Sequence, residues 1–152
     1  CMNAHPVIHL NLNDAYVGDK ELFLKGIRTR ISNTCVEHRE LLESKRQDSD
    51  DVILLRELML CSSNDGVLQD SLLILSRMLS TEYDADVVVL IDGYNSVLIR
   101  NDCSTDHEIT DFMQGMMYSC FQGNRYCCFG VVSGLIDSKD DIYQITQTLN
   151  YE

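Results

Sequence analysis

This chain has little of what marks a membrane, secreted or nucleic-acid-binding protein. Its longest apolar runs fall far short of the roughly 20 residues that a membrane span requires. The leading CMNAHPVIHL has no basic flank of a signal peptide. A cytoplasmic location is the expectation. Basic residues are scarce, 12 Lys and Arg against 24 Asp and Glu, for a formal charge of −12. Phosphate contacts need clustered Lys and Arg, so direct binding of nucleic acid or of an anionic membrane is excluded. A solvated acidic exterior accounts for the excess, and a sharper reading is a protein that meets a basic partner or imitates nucleic acid to one.

Metal and nucleophile signatures are missing too. His5, His9, His38 and His107 show no H-x-x-x-H or carboxylate spacing. The seven cysteines, Cys1, Cys35, Cys61, Cys103, Cys120, Cys127 and Cys128, include no C-x-x-C pair and no framework spacing. Neither a G-x-S-x-G elbow nor a Cys-His signature occurs. The cysteines are expected to be reduced and to pack as small hydrophobes. No metal and no cofactor are expected.

What is present is the pattern of one domain, residues 1–152, long enough to bury about two-thirds of its unfolded surface. There are no internal repeats or low-complexity tracts. PVIHLNL, residues 6–12, alternates as a strand, with the only proline, Pro6, at its tolerated first position. Phe23, Ile27, Ile31 and Cys35 predict a helix from about Lys20 to Glu43, capped by Asp19. Ser44 to Asp51 reads as a surface loop and Val52 to Cys61 as a short helix. Leu68, Leu72, Leu75, Leu79 and Tyr83 form one helical stripe across Val67 to Tyr83.

Thr105 and Glu108 have capping-box spacing at the head of a helix that turns Ile109, Phe112, Met113, Met116 and Cys120 inward, and Gly123-Asn124 stops it. The methionine stripe Met113, Met116, Met117 reads as core or interface filling. RYCCFGVVSG, residues 125–134, reads as a buried strand, and Ile142, Ile145 and Leu149 outline a last amphipathic helix.

The chain is organised around Asp84 to Asn95, DADVVVLIDGYN. Val87 to Ile91 reads as a buried strand ending on Asp92, with Gly93-Tyr94-Asn95 turning behind it. Strand carboxyl ends open onto the binding crevice of α/β folds, which makes Asp92 the first candidate for a residual Mg²⁺ or nucleotide contact. Tyr94, on the strand-end loop, is expected to be exposed and available to a partner. Asp84 and Asp86 flank the opposite end of the strand and form no acid/base pair with Asp92. Helical crossovers between strands require parallel pairing. The expected fold is α/β, a small three-stranded, mainly parallel sheet with helices on both faces.

Taken in order, HPVIHLNLND, a helix closing on EHRELLES, LQDSLLILSRMLSTEYDADVVVLIDGYNSVLI and FGVVSGLIDSKDDIY resemble the middle of an AAA-ATPase-like domain. That domain occurs in many bacterial proteins and some from microbial eukaryotes, often ahead of a nuclease-like domain. The resemblance covers nearly the whole chain and implies a second strand, a Walker B strand and a sensor strand. The departures from the family pattern concern phosphate chemistry. No G-x-x-x-x-G-K-[ST] is present. The Walker B general-base position is Gly93, which has no carboxylate to accept a proton. The later acid is Asn95, Ser133-Gly134 stand in place of Thr-Gly, and Asp137 falls near a family arginine. The resemblance therefore implies a remnant of a P-loop ATPase core that does not hydrolyse ATP by itself.

In the sheet this family implies, loss of the P-loop strand leaves Val7–Leu12, Val87–Ile91 and Arg125–Ser133 contiguous, with Val87–Ile91 central. The sensor strand becomes a bare edge carrying Tyr126, Cys127, Cys128, Phe129, Val131 and Val132, with no inward charge and no proline. Such an edge recruits another strand unless it is covered. Two functions follow. One is a non-catalytic interaction or regulatory module, a pseudoenzyme paired with itself as a homodimer or with a basic protein; an acidic inhibitor of a nucleic-acid-handling machine is a specific form of it. The other is a fragment or split half of an ATPase that needs a P-loop from another chain.

Overall fold

A computed structural model describes residues 4–13, 19–94 and 107–133. Three parallel strands, β1 (Val7–Asn11), β2 (Val87–Asp92) and β3 (Cys127–Ser133), form a sheet in the order β1-β2-β3. The fold is thus a small α/β sheet with β2 in the centre, as expected, but the described helices do not cover both of its faces as the expectation had it. The expectations for Gly134, Asn95, Thr105, Asp137 and the helix of Ile142, Ile145 and Leu149 lie outside the described residues.

β2 alternates strictly. Val87, Val89 and Ile91 are buried, whereas Val88, Leu90 and Asp92 are only partly covered. β1 follows the same rule, with Ile8 and Leu10 buried and Val7, His9 and Asn11 exposed. The pleat sends successive side chains to opposite faces, so one parity meets the helices and the other does not. Connection handedness explains why the described helices share one face. The sheet steps in one direction, and right-handed crossovers between parallel strands that step one way all pass over the same side.

The first crossover carries α1 (Lys20–Val36), a 3₁₀ turn (Arg39–Glu43), α2 (Ser49–Met59), α3 (Asp65–Gln69) and α4 (Ser71–Tyr83). Asp19 caps α1 by accepting from the Leu22 N–H at 2.9 Å, as its position suggested. α1 ends at Val36, not Glu43. Its buried stripe runs out at Cys35, because one turn later stand His38 and Arg39, and the next buried residue, Leu41, needs a tighter turn to face inward.

α2 begins three residues earlier than its apolar pattern indicated, since Asp48 caps it by accepting from the Asp50 N–H, and Asp50 and Asp51 favour its first turn. The single stripe from Val67 to Tyr83 is two helices that meet at Asp70. Asn64 starts the first by accepting from the Val67 N–H at 2.8 Å. Leu68, Leu72, Leu75 and Leu79 are buried together, while Tyr83 is exposed and donates to Glu40 at 3.2 Å. Asp84 ends α4 in the left-handed conformation.

The second crossover brings α5 (His107–Met117), which ends in a π-helical turn (Tyr118–Gln122) closed by Gly123. Ile109, Phe112, Met113, Met116 and Cys120 are all buried, as their spacing predicted, and Met117 joins them. Phe112 meets Phe23 of α1 edge to face, with ring centroids 6.0 Å apart, tying the two crossovers into one core. β3 passes so close to the π-helical turn that a Cβ on Gly130 would lie 2.1 Å from the Phe121 ring. Among the described residues no helix is long and apolar enough to cross a membrane.

Candidate functional site

The register of the sheet builds a polar cluster at the carboxyl ends of its strands. Asn11 of β1 and Ser133 of β3 both sit beside Asp92. His9, two residues back on β1, shares their face and reaches Asp92 diagonally. Ser133 donates its hydroxyl to Asp92 Oδ1 at 2.6 Å, and His9 Nε2 lies 2.7 Å from Oδ2. The Ser133 hydroxyl, with the His9 imidazole second, holds the Asp92 carboxyl below the usual carboxylate range. Both His9 and Asp92 remain nearly half exposed, at 48% and 44% of their side-chain area, so the pair is a solvated one.

The order of groups limits the chemistry. In a nucleophilic triad the imidazole stands between hydroxyl and carboxylate and takes the hydroxyl proton. Here the carboxylate stands in the middle and accepts from both neighbours, so the imidazole does not act on the hydroxyl. An acid whose pKa is depressed is also a poor base. Among the described residues no three His, Cys, Asp or Glu side chains converge as metal ligands.

Behind Asp92 the backbone turns at Gly93 with φ +76. A Cβ there would stand 2.4 Å from Asn13 Oδ1 and 2.6 Å from the Asn13 backbone nitrogen. The close approach of the β1 and β2 ends leaves no room for a side chain at this position, a carboxylate included.

Tyr94 is not an exposed contact. It is buried, with 6% of its surface accessible, because the ring folds back into the core cluster that it extends past Ile91. Asp84 and Asp86 do lie at the far end of β2 from Asp92, where the Asp86 carbonyl accepts from His5 Nδ1 at 2.7 Å. His9 has no metal-ligand spacing in the sequence that would mark it out. Its place beside Asp92 depends on strand register, for which the only sequence signal is its polar parity within PVIHLNL.

The second feature is the outer edge of β3. No described strand lies beyond it. Cys127 and Val132 pack partly against the core and Tyr126 is half-buried, whereas Cys128, Phe129 and Val131 are exposed, Phe129 at 60%. The Arg125 guanidinium lies over the Tyr126 ring, 5.1 Å from its centroid. Cys127–Ser133 contains no charged residue in a chain of net charge −12. On the face that no described helix covers, its exposed groups adjoin the partly exposed Leu90 and Val88 and the exposed Val7.

The described cysteines Cys35, Cys61, Cys120, Cys127 and Cys128 are free. Burial pushes the Cys35 thiol up to about 12 and raises Cys120 and Cys127 as well, which keeps them protonated and inert. A cleft of about 440 Å³ lies between α2 and the α3–α4 pair, lined by Leu54, Val67, Leu73 and Ile74 with Asp70 and Arg77. The Arg77 guanidinium is held by Asp51 through two bonds, at 2.6 and 3.1 Å. The ionisable groups at the cleft are thus engaged within the fold, Asp70 accepting from Ser119 at 2.8 Å. No family model, no curated protein and no solved structure matches this chain.

Proposed function

We propose that this chain is a non-catalytic interaction module, built on a degenerate AAA-ATPase-like core, that engages another protein through the β3 edge and the adjoining face that no described helix covers. The observation that carries the reading is the exposed, charge-free strand Cys127–Ser133 in an otherwise strongly acidic chain. An unpaired edge of this kind is a template for strand addition. The acidic remainder favours a basic partner through long-range attraction, and inhibition of a nucleic-acid-handling machine by occupying its basic surface is one form this takes.

Two further observations support a non-catalytic role. Gly93 sits where the resemblance puts a general base, and the packing against Asn13 leaves no space for one. The Asp92 carboxylate already accepts from Ser133 and His9. The test is thermal unfolding with and without Mg·ATP. A ligand present at 100 times its Kd stabilises the native state by about 2.7 kcal/mol, so binding moves the melting temperature by several degrees. No shift is expected, and a clear upward shift contradicts the proposal.

A second reading has one observation in its favour. Asp92 stands directly beside Ser133, the two positions that the resemblance assigns to phosphate and Mg²⁺ chemistry. In that reading the chain is a split half that gains nucleotide affinity when a second chain supplies the P-loop strand along β3. The same melt, repeated with a fragment carrying that strand, separates the two: a shift that needs both fragment and Mg·ATP favours the split half.

A further inference from the structure

The edge that the proposed function relies on has a defined register, and this register names its occupant. A β-bulge separates the two ends of β3. Val87 pairs with Cys127 and Val88 with Phe129, so Cys128 is the extra residue and the regular edge is confined to 129–133. Within it, the Gly93 N–H donates to the Ser133 carbonyl at 2.9 Å. By the alternation of a parallel ladder, Phe129, Val131 and Ser133 then turn their backbone groups toward β2, and Gly130 and Val132 turn theirs outward. No described residue bonds to that outer edge.

We infer that the occupant of this edge is a second copy of the chain, paired antiparallel across a two-fold axis through Val131. This inference rests on the interaction reading above. With the axis at Val131, Gly130 of each copy stands opposite Val132 of the other, which matches both outward-facing residues of one copy with both of the other. Each pair exchanges its two backbone bonds. On the face that no described helix covers, the two Val131 side chains meet at the axis, with Phe129 of each copy opposite Ser133 of the other. An axis at Gly130 would instead extend the pairing into the bulge at Cys128, where the ladder is broken.

Charge leaves a second copy admissible at this edge. Two molecules of net charge −12 repel wherever their acidic surfaces face one another. The segment 127–133 carries no charge at all, so the repulsion is least where these edges meet. The contact is isologous and closes at two, giving one continuous six-stranded sheet and not a fibre.

Cysteine trapping tests the register. Val131→Cys places two thiols at a non-hydrogen-bonded antiparallel pair, with Cα atoms about 4.5 Å apart, inside the range of a disulfide. Phe129→Cys places them four residues out of step, roughly 13 Å along the strands and beyond reach. Both side chains are exposed, so neither variant disturbs the core. Under mild copper-phenanthroline oxidation, Val131→Cys is expected to give several-fold more covalent dimer than wild type, and Phe129→Cys no more than wild type. Equal trapping of both variants, or trapping of neither, overturns the register. A wild-type mass by light scattering that stays monomeric at high concentration overturns the second copy as occupant. Such a failure leaves the interaction reading standing, because that reading fails separately, on the Mg·ATP melt.

Discussion

The two faces of β2 make opposite uses of neighbouring residues. Val87, Val89 and Ile91 are sealed under the helices, while Val88, Leu90 and Asp92, each one residue away, look onto a face that no described helix covers. Their composition is nearly the same, five aliphatic residues and one acid in a row. What separates them is the hand of the crossovers and the direction in which the sheet steps. A run of aliphatic residues in a parallel strand therefore says that the strand is central, without saying that both of its faces are filled by the same chain.

Substitution can break this contrast. Ile91→Ala opens a cavity under the helices and is expected to cost about 2–5 kcal/mol, whereas Leu90→Ala, on a face with room to relax, is expected to cost about 1 kcal/mol. Urea unfolding of both variants measures the difference, and equal losses would show that the second face is as tightly packed as the first. Gly93→Ala tests the end of the same strand. The left-handed φ and the contact with Asn13 predict a loss of about 1–3 kcal/mol, and a neutral result would mean that the strand ends separate easily. A smaller effect, about 1 kcal/mol, is expected when Asp19→Ala removes the cap of α1, read from the same unfolding curves.

Asp92 carries a pH prediction. Its pKa is lowered in the fold by Ser133 and His9. Its contribution to stability is present above the unfolded carboxylate pKa and is lost as pH falls through the lower folded value. In acid titrations of unfolding, Asp92→Asn should remove part of the decline on the acid side, below the ordinary carboxylate range, while curves near neutrality stay parallel. An unchanged acid limb would show that the cluster is not formed in solution. The smallest expected change is in Phe129→Lys, where an exposed side chain is exchanged at within about 0.5 kcal/mol of monomer stability. Its effect belongs to association, since it replaces an apolar ring opposite Ser133 of the second copy with a charge, and dimer mass by light scattering should fall.

The legible parts of the molecule were those set by local pattern. The stripe of Ile109, Phe112, Met113, Met116 and Cys120, the capping by Asp19 and the three strands follow from periodicity and turn chemistry, and the strand order followed from the resemblance. Tyr94 was misplaced because a polar-tipped aromatic after a glycine turn reads as surface, yet its ring completes the core beyond Ile91. The break between α3 and α4 at Asp70 was hidden because the leucine stripe runs through it without losing step. Of the strand-end cluster only Asp92 stood out. His9 joins it through register, a property of two strands 80 residues apart that neither strand carries alone. The bulge at Cys128, which decides where the usable edge begins, is likewise a property of pairing.

The central claim is that the neutral edge of β3 is a binding surface whose first partner is another copy. Amide hydrogen exchange at Gly130 and Val132, followed as protein concentration rises, tests it most directly. These two N–H groups point out of the sheet, so in a dilute monomer they should exchange rapidly, and their protection should grow with concentration while that of Phe129 and Val131, bonded to β2, stays constant. Rapid exchange at both positions at every concentration would contradict the account.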